Sequence, residues 1–384
     1  MHWVILGLFL GRCASGLSVP KPLRFTSSGT FQIAVFSDLH YGEAEDLDWG
    51  PEQDINSTRV MNAILDVEEP QLIVLNGDLI TGENTYKQNS SSYLDRIVEP
   101  LVERGLSWAS TYGNHDSQFN LSRQDIFWRE KRYRNSLTQS MVWTETSGVS
   151  NYFLPVYSSD ERDPVPKAIL WFFDSRGGVK YQQTDDRGNT VAISDFVDES
   201  VVNWFTTTNE VLTRLYRKTI PSLAFVHIPT TAMLAFQQET GVDKNREPGI
   251  NDDYPLAAQG PSDGSFNYTD QDMPFMKALA STGGLIASFS GHDHGDDWCF
   301  KWDKRLPGMD VAGNGVILCF DRHSGYGGYG TWTRGSRQIL LDEKTLGSQT
   351  KSWVRLEDST ISGAVTLNAT YGQDKYPAVL DTFT

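Results

Sequence analysis

The sequence predicts an α/β fold in which parallel strands joined by crossover helices carry ligand-type side chains just beyond their C-terminal ends. Short runs rich in Val, Ile, Leu and Phe recur along the chain, and segments with apolar residues at helical spacing separate them. Many of these runs stop at Asp, Asn or His.

Phe31 to Phe36 is the first such run and ends in Ser37-Asp38-Leu39-His40. Val60, Ile64, Leu65 and Val67 then recur at helical spacing, and Leu72 to Leu75 comes next, ending in Asn76-Gly77-Asp78. A second helix, roughly Tyr93 to Glu103, leads to Trp108-Ala109-Ser110-Thr111 and the loop Tyr112-Gly113-Asn114-His115-Asp116. This β-α-β-α-β order predicts a parallel sheet, because parallel neighbours need a crossover and a helix supplies it. The grammar returns where Ala168 to Phe173 ends at Asp174, a helix spans about Phe196 to Leu215, and Leu223 to Val226 ends at His227. After a helix near Asp272 to Ala280, Leu285 to Phe289 ends in Ser290-Gly291-His292-Asp293-His294. In open α/β sheets, ligands bind beyond that edge.

Two segments break the alternation. Gln139 to Pro155 holds two strand-like runs around Ser147-Gly148 and predicts a hairpin. Residues 241–268 are polar, with Asp243, Glu247, Asp252, Asp253 and Asp263, and predict a surface insertion beside a strand-end loop. From Trp298 onward only strand-like runs occur: Cys299 to Trp302, Val316 to Phe320, Gln338 to Leu341 and Ser352 to Leu356. They predict the antiparallel completion of a second sheet within one domain spanning residues 25–384.

A formal charge of −16 excludes a broad basic surface for nucleic acid or anionic lipid, so any bound phosphate must meet a local positive centre. An apolar run from Val4 to Leu10, followed by Cys13-Ala14-Ser15-Gly16, predicts a signal peptide over residues 1–16 and a secreted protein. That run is too short to span a bilayer, and no second long apolar stretch exists, so stable membrane insertion is not expected. Sequons at Asn56, Asn89, Asn120, Asn267 and Asn368 predict N-glycans, most of them on surface loops. Removing residues 1–16 takes Cys13 away and leaves Cys299 and Cys319 as an even pair in an oxidising compartment. One disulfide between them would stabilise the fold by roughly 3 kcal/mol; two buried free thiols are the alternative.

Of seven histidines, five fall in the strand-end loops: His40, His115, His227, His292 and His294. Imidazoles and carboxylates are the ligands of Zn²⁺, Fe and Mn²⁺ hydrolytic sites. Singly, each is more often a hydrogen-bonded surface or core residue; their conjunction reverses the odds.

The order Asp38-Leu39-His40, Gly77-Asp78, Gly113-Asn114-His115-Asp116, His227, then Gly291-His292-Asp293-His294 resembles the calcineurin-like metallophosphoesterase superfamily over residues 31 to about 340. The text around His227, His292 and Gly325-Tyr326-Gly327-Gly328-Tyr329-Gly330 looks like its short purple-acid-phosphatase-like branch, which includes secreted fungal phosphatases. The resemblance implies a four-layer α/β/β/α sandwich of two mixed sheets flanked by helices. It implies two metal ions (Fe, Zn or Mn), one held by Asp38, His40, Asp78 and His294, the other by Asp78, Asn114, His227 and His292. Purple enzymes carry a metal-binding Tyr where this chain has Thr81 and lack the histidine present as His40, so no tyrosinate-to-iron colour is expected.

The expected function is that of a secreted phosphomonoesterase acting on small phosphate esters or phosphoproteins through a metal-bridging hydroxide. Two divalent ions bring four charges, of which Asp38, Asp78 and the hydroxide cancel three, leaving the centre able to hold phosphate in an acidic protein. The resemblance places His115 beside the phosphate as proton donor to the leaving group. Asp116 orients His115 or caps its own loop; Asp293 orients a ligand or faces solvent; Asp174 is structural. The loop from Gly325 to Gly330, with Arg334 and Arg337, is either a substrate rim or a Gly-rich turn whose arginines pair with carboxylates. A phosphodiesterase and a catalytically silent metal-binding protein are the rival readings.

Overall fold

The computed structural model describes residues 21–260, 270–380, 382 and 383. The segment read as a signal peptide and the sequon at Asn267 lie outside them. The chain runs β1 (Leu23–Arg24), β2 (Thr30–Phe36), α1 (Trp49–Leu65), β3 (Leu72–Asn76), α2 (Tyr93–Glu103), β4 (Trp108–Thr111) and α3 (Arg123–Glu130). Next come β5 (Tyr152–Tyr157), β6 (Pro166–Phe173), the short pair β7 (Val179–Thr184) and β8 (Thr190–Ala192), α4 (Glu199–Tyr216), β9 (Ser222–Val226) and α5 (Thr231–Ala235). It ends with α6 (Met273–Ser281), β10 (Leu285–Ser290), β11 (Cys299–Trp302), β12 (Val316–Phe320), β13 (Gly335–Asp342), β14 (Gln349–Leu356) and β15 (Ile361–Asn368).

Two mixed sheets dominate. One has seven strands in the order β1-β5-β6-β9-β10-β12-β11, the other six in the order β15-β14-β13-β2-β3-β4. Within the first, β6, β9, β10 and β12 are mutually parallel; within the second, β2, β3 and β4 are.

Side-chain alternation divides each strand between two layers. Leu170 and Phe172 of β6 face inward and pack with Ile33 and Val35 of β2 between the sheets, while Ile169, Trp171 and Phe173 face outward onto Val201 and Phe205 of α4 and Phe275 of α6. Across the other sheet, Ile73 and Leu75 of β3 meet Val60 and Ile64 of α1 and Leu94, Ile97, Val98 and Leu101 of α2, whose spacing makes one apolar stripe. Helices thus cover the outer face of both sheets, as expected.

The tail departs from expectation. Its strands split between the sheets: β12 joins the first sheet parallel to β10, with β11 antiparallel to it, while β13, β14 and β15 extend the second beside β2. The Cys299–Cys319 disulfide forms, and it joins β11 to β12 where the two cysteines are paired across the ladder.

The hairpin expected in Gln139 to Pro155 is also absent; the hairpin is β5 with β6, and residues 139–151 are irregular. Side chains replace the ladder there. Asp174 accepts from the Val149 N–H at 2.7 Å, and Asn151 Nδ2 donates to the Ser147 carbonyl at 2.6 Å.

The segment expected as a surface insertion buries Ile250, Leu256, Ala258 and Gln259, so its described part is packed wall rather than free loop. Asn56, expected on a loop with most of the sequons, lies within α1.

Candidate metal centre

Strand-end loops from both sheets meet at and beneath one cleft of about 400 Å³. β2 delivers Asp38 and His40, β3 Asp78, β4 Asn114 and His115, β9 His227, and β10 His292 and His294; β12 brings His323. Four of these residues hold left-handed backbone, with φ of 56° at Asp38, 50° at His40, 47° at Asp78 and 80° at His292. Non-glycine residues reach that region at a cost of order 1–3 kcal/mol each, so the surrounding loops must over-determine them. They do: the Asp38 and His40 N–H groups donate to the carbonyls of Gly77 and Asp78, and the His292 N–H donates to Asp38 Oδ1 at 3.1 Å.

Glycine precedes three of the motifs for a steric reason. A Cβ on Gly113 would lie 2.2 Å from Asp78 Oδ1, and one on Gly77, where φ is +89°, would lie 2.4 Å from His227 Nδ1. Both positions leave the ligand side chains the room they occupy.

Two triads result. Asp38, His40 and His294 form one and Asp78, His227 and His292 the other, each with its ligand atoms within 4.8 Å of one another. His40 Nε2 is 3.9 Å from Asp78 Oδ2 and His227 Nε2 is 3.8 Å from Asp38 Oδ1, so the triads abut through their carboxylates. Backbone carbonyls set the tautomers: the Nδ1–H of His227 donates to Asn76 O at 2.8 Å, that of His294 to Tyr329 O at 2.9 Å, and each leaves Nε2 facing the cleft. His40 Nδ1 lies 3.1 Å from the hydroxyl of Thr81, the residue standing in place of the purple-branch tyrosine. With the ring proton on that side, His40 and His294 turn two lone pairs toward each other across 3.2 Å, an arrangement a cation relieves.

The electrostatics agree. Burial, reinforced by neighbouring His115, lowers the pKa of His40 to about 3, and burial beside His227 lowers that of His292 to about 3. Burial alone would lower His227 as well, but Asp78 and Asp38 outweigh it and push it up to about 10. His227 Nε2 and Asp78 Oδ2 are 2.9 Å apart, and the two carboxylates beside that ring favour positive charge there. Asn114 adds a buried Oδ1 with no hydrogen-bond partner. These residues fit a pair of hard or borderline divalent ions.

The calcineurin-like phosphoesterase family signature matches residues 31–296. The chain belongs to that family. It is 28% identical over 375 residues to a protein of Arabidopsis thaliana named probable inactive purple acid phosphatase 14, covering 89% of this chain and 84% of that one. It is 29% identical over 313 residues to Phosphatase DCR2 of Saccharomyces cerevisiae, covering 78% of this chain and 48% of that one, so it spans about half the yeast protein's length. A dimetal phosphatase of Danio rerio shares the fold, with a TM-score of 0.53 at 13% identity over 88% of this chain and 98% of that one.

At the mouth of the cleft, His115 gives its N–H to Asp78 Oδ1 at 2.8 Å, and its ring Nδ1 lies 2.5 Å from Glu83 Oε1. Burial lowers the His115 pKa, but Asp78 and Glu83 outweigh it and push it up to about 9. Asp116 does not orient that ring, which corrects one of its two expected roles. Its carboxylate accepts from the Leu79, Ile80 and Gly113 N–H groups at 3.0, 3.0 and 2.8 Å, tying the Asp78 loop to the Asn114 loop.

Arg334 and Arg337 form no rim of the cleft. Both are buried, and their guanidinium groups donate to carbonyls, Arg334 to Gly330 and Trp332, Arg337 to Phe320 and Asp297. The Gly/Tyr loop is nonetheless a wall of the cleft, where Tyr329 stacks on His294 with centroids 4.1 Å apart. Asp174 is structural as expected, taking the Val149 and Arg176 N–H groups. Asp293 is buried and accepts from the Ala257 N–H at 2.8 Å.

Sequence reasoning missed Glu83, Glu43, which accepts from the Gly328 N–H at 2.6 Å, and His323, whose ring lies 3.8 Å from that of His294. The signal for His323 existed, since it too lies just past an apolar run, Val316 to Phe320.

Proposed function

We propose that this chain is a phosphomonoesterase with a two-metal centre. The observation that carries the reading is the pair of abutting Asp/His triads opening on one cleft with His115 at its mouth. Asp38, His40, Asp78 and His294 hold one ion; Asp78, Asn114, His227 and His292 hold the other. A bound cation pair supplies the charge that clamps phosphoryl oxygens and makes water acidic enough to attack at neutral pH. Asp78 touches both groups of ligands and keeps them in register. His115, protonated, donates from Nε2 to the leaving oxygen, while Glu83 fixes the opposite ring nitrogen.

Asp116 acts through the loops alone, keeping Asn114 and His115 at the distance the chemistry needs. Export of the chain is part of the same reading, supported by the buried disulfide and by the sequons. Among the described residues no helix is long and apolar enough to cross a membrane.

A second reading, a metal-binding protein without turnover, is favoured by the name that the Arabidopsis relative carries. Metal analysis with kinetics on an aryl monophosphate and a bis-aryl phosphate decides. Asp78→Asn should lose metal and activity together, while His115→Ala keeps metal and slows turnover. Near two metals per chain with no hydrolysis of either ester from about pH 4 to 9 would establish the silent reading. A faster bis-aryl rate would make it a diesterase.

A further inference from the structure

The cleft is lined by His40, His292, His294, Asp78 and the buried Asp293 at its floor and by Glu43, Glu83, His115 and Tyr329 toward its mouth. No Lys or Arg lines it among the described residues, and none occurs in residues 261–269. Glu83 is engaged by His115. Glu43 is not so matched: one oxygen takes the Gly328 N–H, and among the described residues it makes no ion pair with Lys or Arg. Burial raises its pKa above the ordinary glutamate value and Glu83 adds to that, while the Gly328 N–H and His115 lower it.

A phosphate ester entering this site puts its phosphoryl end at the floor, where the cations belong. Its organic end then lies beside Glu43 and the His115–Glu83 pair. A second anionic group there, as in a nucleotide or a diphosphate, meets two carboxylates, Glu43 and Glu83, against one cationic ring, His115, which Glu83 already engages. An ammonium or guanidinium group meets an unmatched carboxylate in a partly desolvated setting, where a single charge pair is worth more than in bulk water. The chain's charge of −16 draws cationic ligands in the same sense.

We infer that the cleft selects phosphate monoesters whose alcohol part carries a positive charge, and that Glu43 is the residue that discriminates; this rests on the phosphatase reading above. The test compares choline phosphate with its neutral isostere, 3,3-dimethylbutyl phosphate, on the full chain reconstituted with Mn²⁺ at low salt. The ratio of kcat/KM, cationic over neutral, should be roughly tenfold, the size of one partly screened charge contact. Glu43→Gln, which keeps an acceptor for the Gly328 N–H, should bring the ratio close to one. A phosphoserine peptide flanked by arginine, set against the same peptide flanked by citrulline, separates a peptide source from a small ester. Preference in either pair supports the inference and names the source. Equal rates within both pairs, or a preference that survives Glu43→Gln, overturns it. Absence of turnover on every ester sinks the phosphatase reading instead, and Kd values for the same pairs by calorimetry then decide the selectivity.

Discussion

Glu83 Oε1 lies 2.5 Å from His115 Nδ1, and the two residues come from different strand-end loops, thirty-two positions apart. That contact leaves Nε2 as the ring nitrogen free to serve a substrate. Glu83→Gln should therefore lower kcat by about 10–100-fold, as losing a partner that orients an imidazole does elsewhere. The loss should be largest on alkyl esters, whose leaving groups need the proton, and smallest on dinitrophenyl phosphate. Metal content should not change, and Glu83→Asp should restore part of the rate. A uniform loss across leaving groups would count against a role in proton donation.

Gly113→Ala should damage the centre without replacing a ligand, because the new Cβ would lie 2.2 Å from Asp78 Oδ1. Overpacking of this kind costs about 1–3 kcal/mol, and displacing a ligand costs about 10–100-fold in metal affinity. Gly283→Ala, whose Cβ meets nothing nearer than Thr219 Cγ2 at 3.6 Å, is the matched control. Metal titration and thermal melts of both variants check the contrast.

Stability should fall as pH rises through the range set by Asp272. Burial raises its pKa from 3.8 to about 7, outweighing the Thr231 N–H that its Oδ2 accepts at 2.6 Å. The folded state therefore holds a proton that the unfolded chain releases at lower pH, and by linkage this contribution is fully present below pH 3.8 and lost between there and about 7. Asp272→Asn keeps an acceptor for Thr231 and cannot ionise. Its Tm relative to the parent should improve between pH 5 and pH 8, measured by calorimetry; a constant difference would remove the assignment.

Replacing Cys299 and Cys319 together by alanine should cost about 2–4 kcal/mol of stability, since the cross-link closes a loop of 20 residues. The pair lies in the core between the sheets, away from the cleft lining. Denaturant melts should shift while kcat under native conditions holds.

The two Asp/His triads were legible in the sequence because each member sits immediately beyond a local apolar run. A strand announces itself through a few consecutive residues, and Asp38, Asp78, His227 and His294 need nothing more to be placed at its end. The glycines before Asp78, Asn114 and His292 were visible for the same local reason, although what each makes room for was not.

The sequence by itself therefore determined the parallel α/β grammar, the residues that form the two Asp/His triads and the acidic composition around them. Tertiary structure alone decided which sheet each tail strand joins, that Asp116 ties two loops while Glu83 holds His115, and that Arg334 and Arg337 point into the protein instead of the cleft. Those outcomes depend on contacts such as β13 lying beside β2, with Arg337 opposite Val35. Pairings across three hundred residues are settled by how whole sheets bury their apolar faces, and no local pattern of side chains encodes that choice.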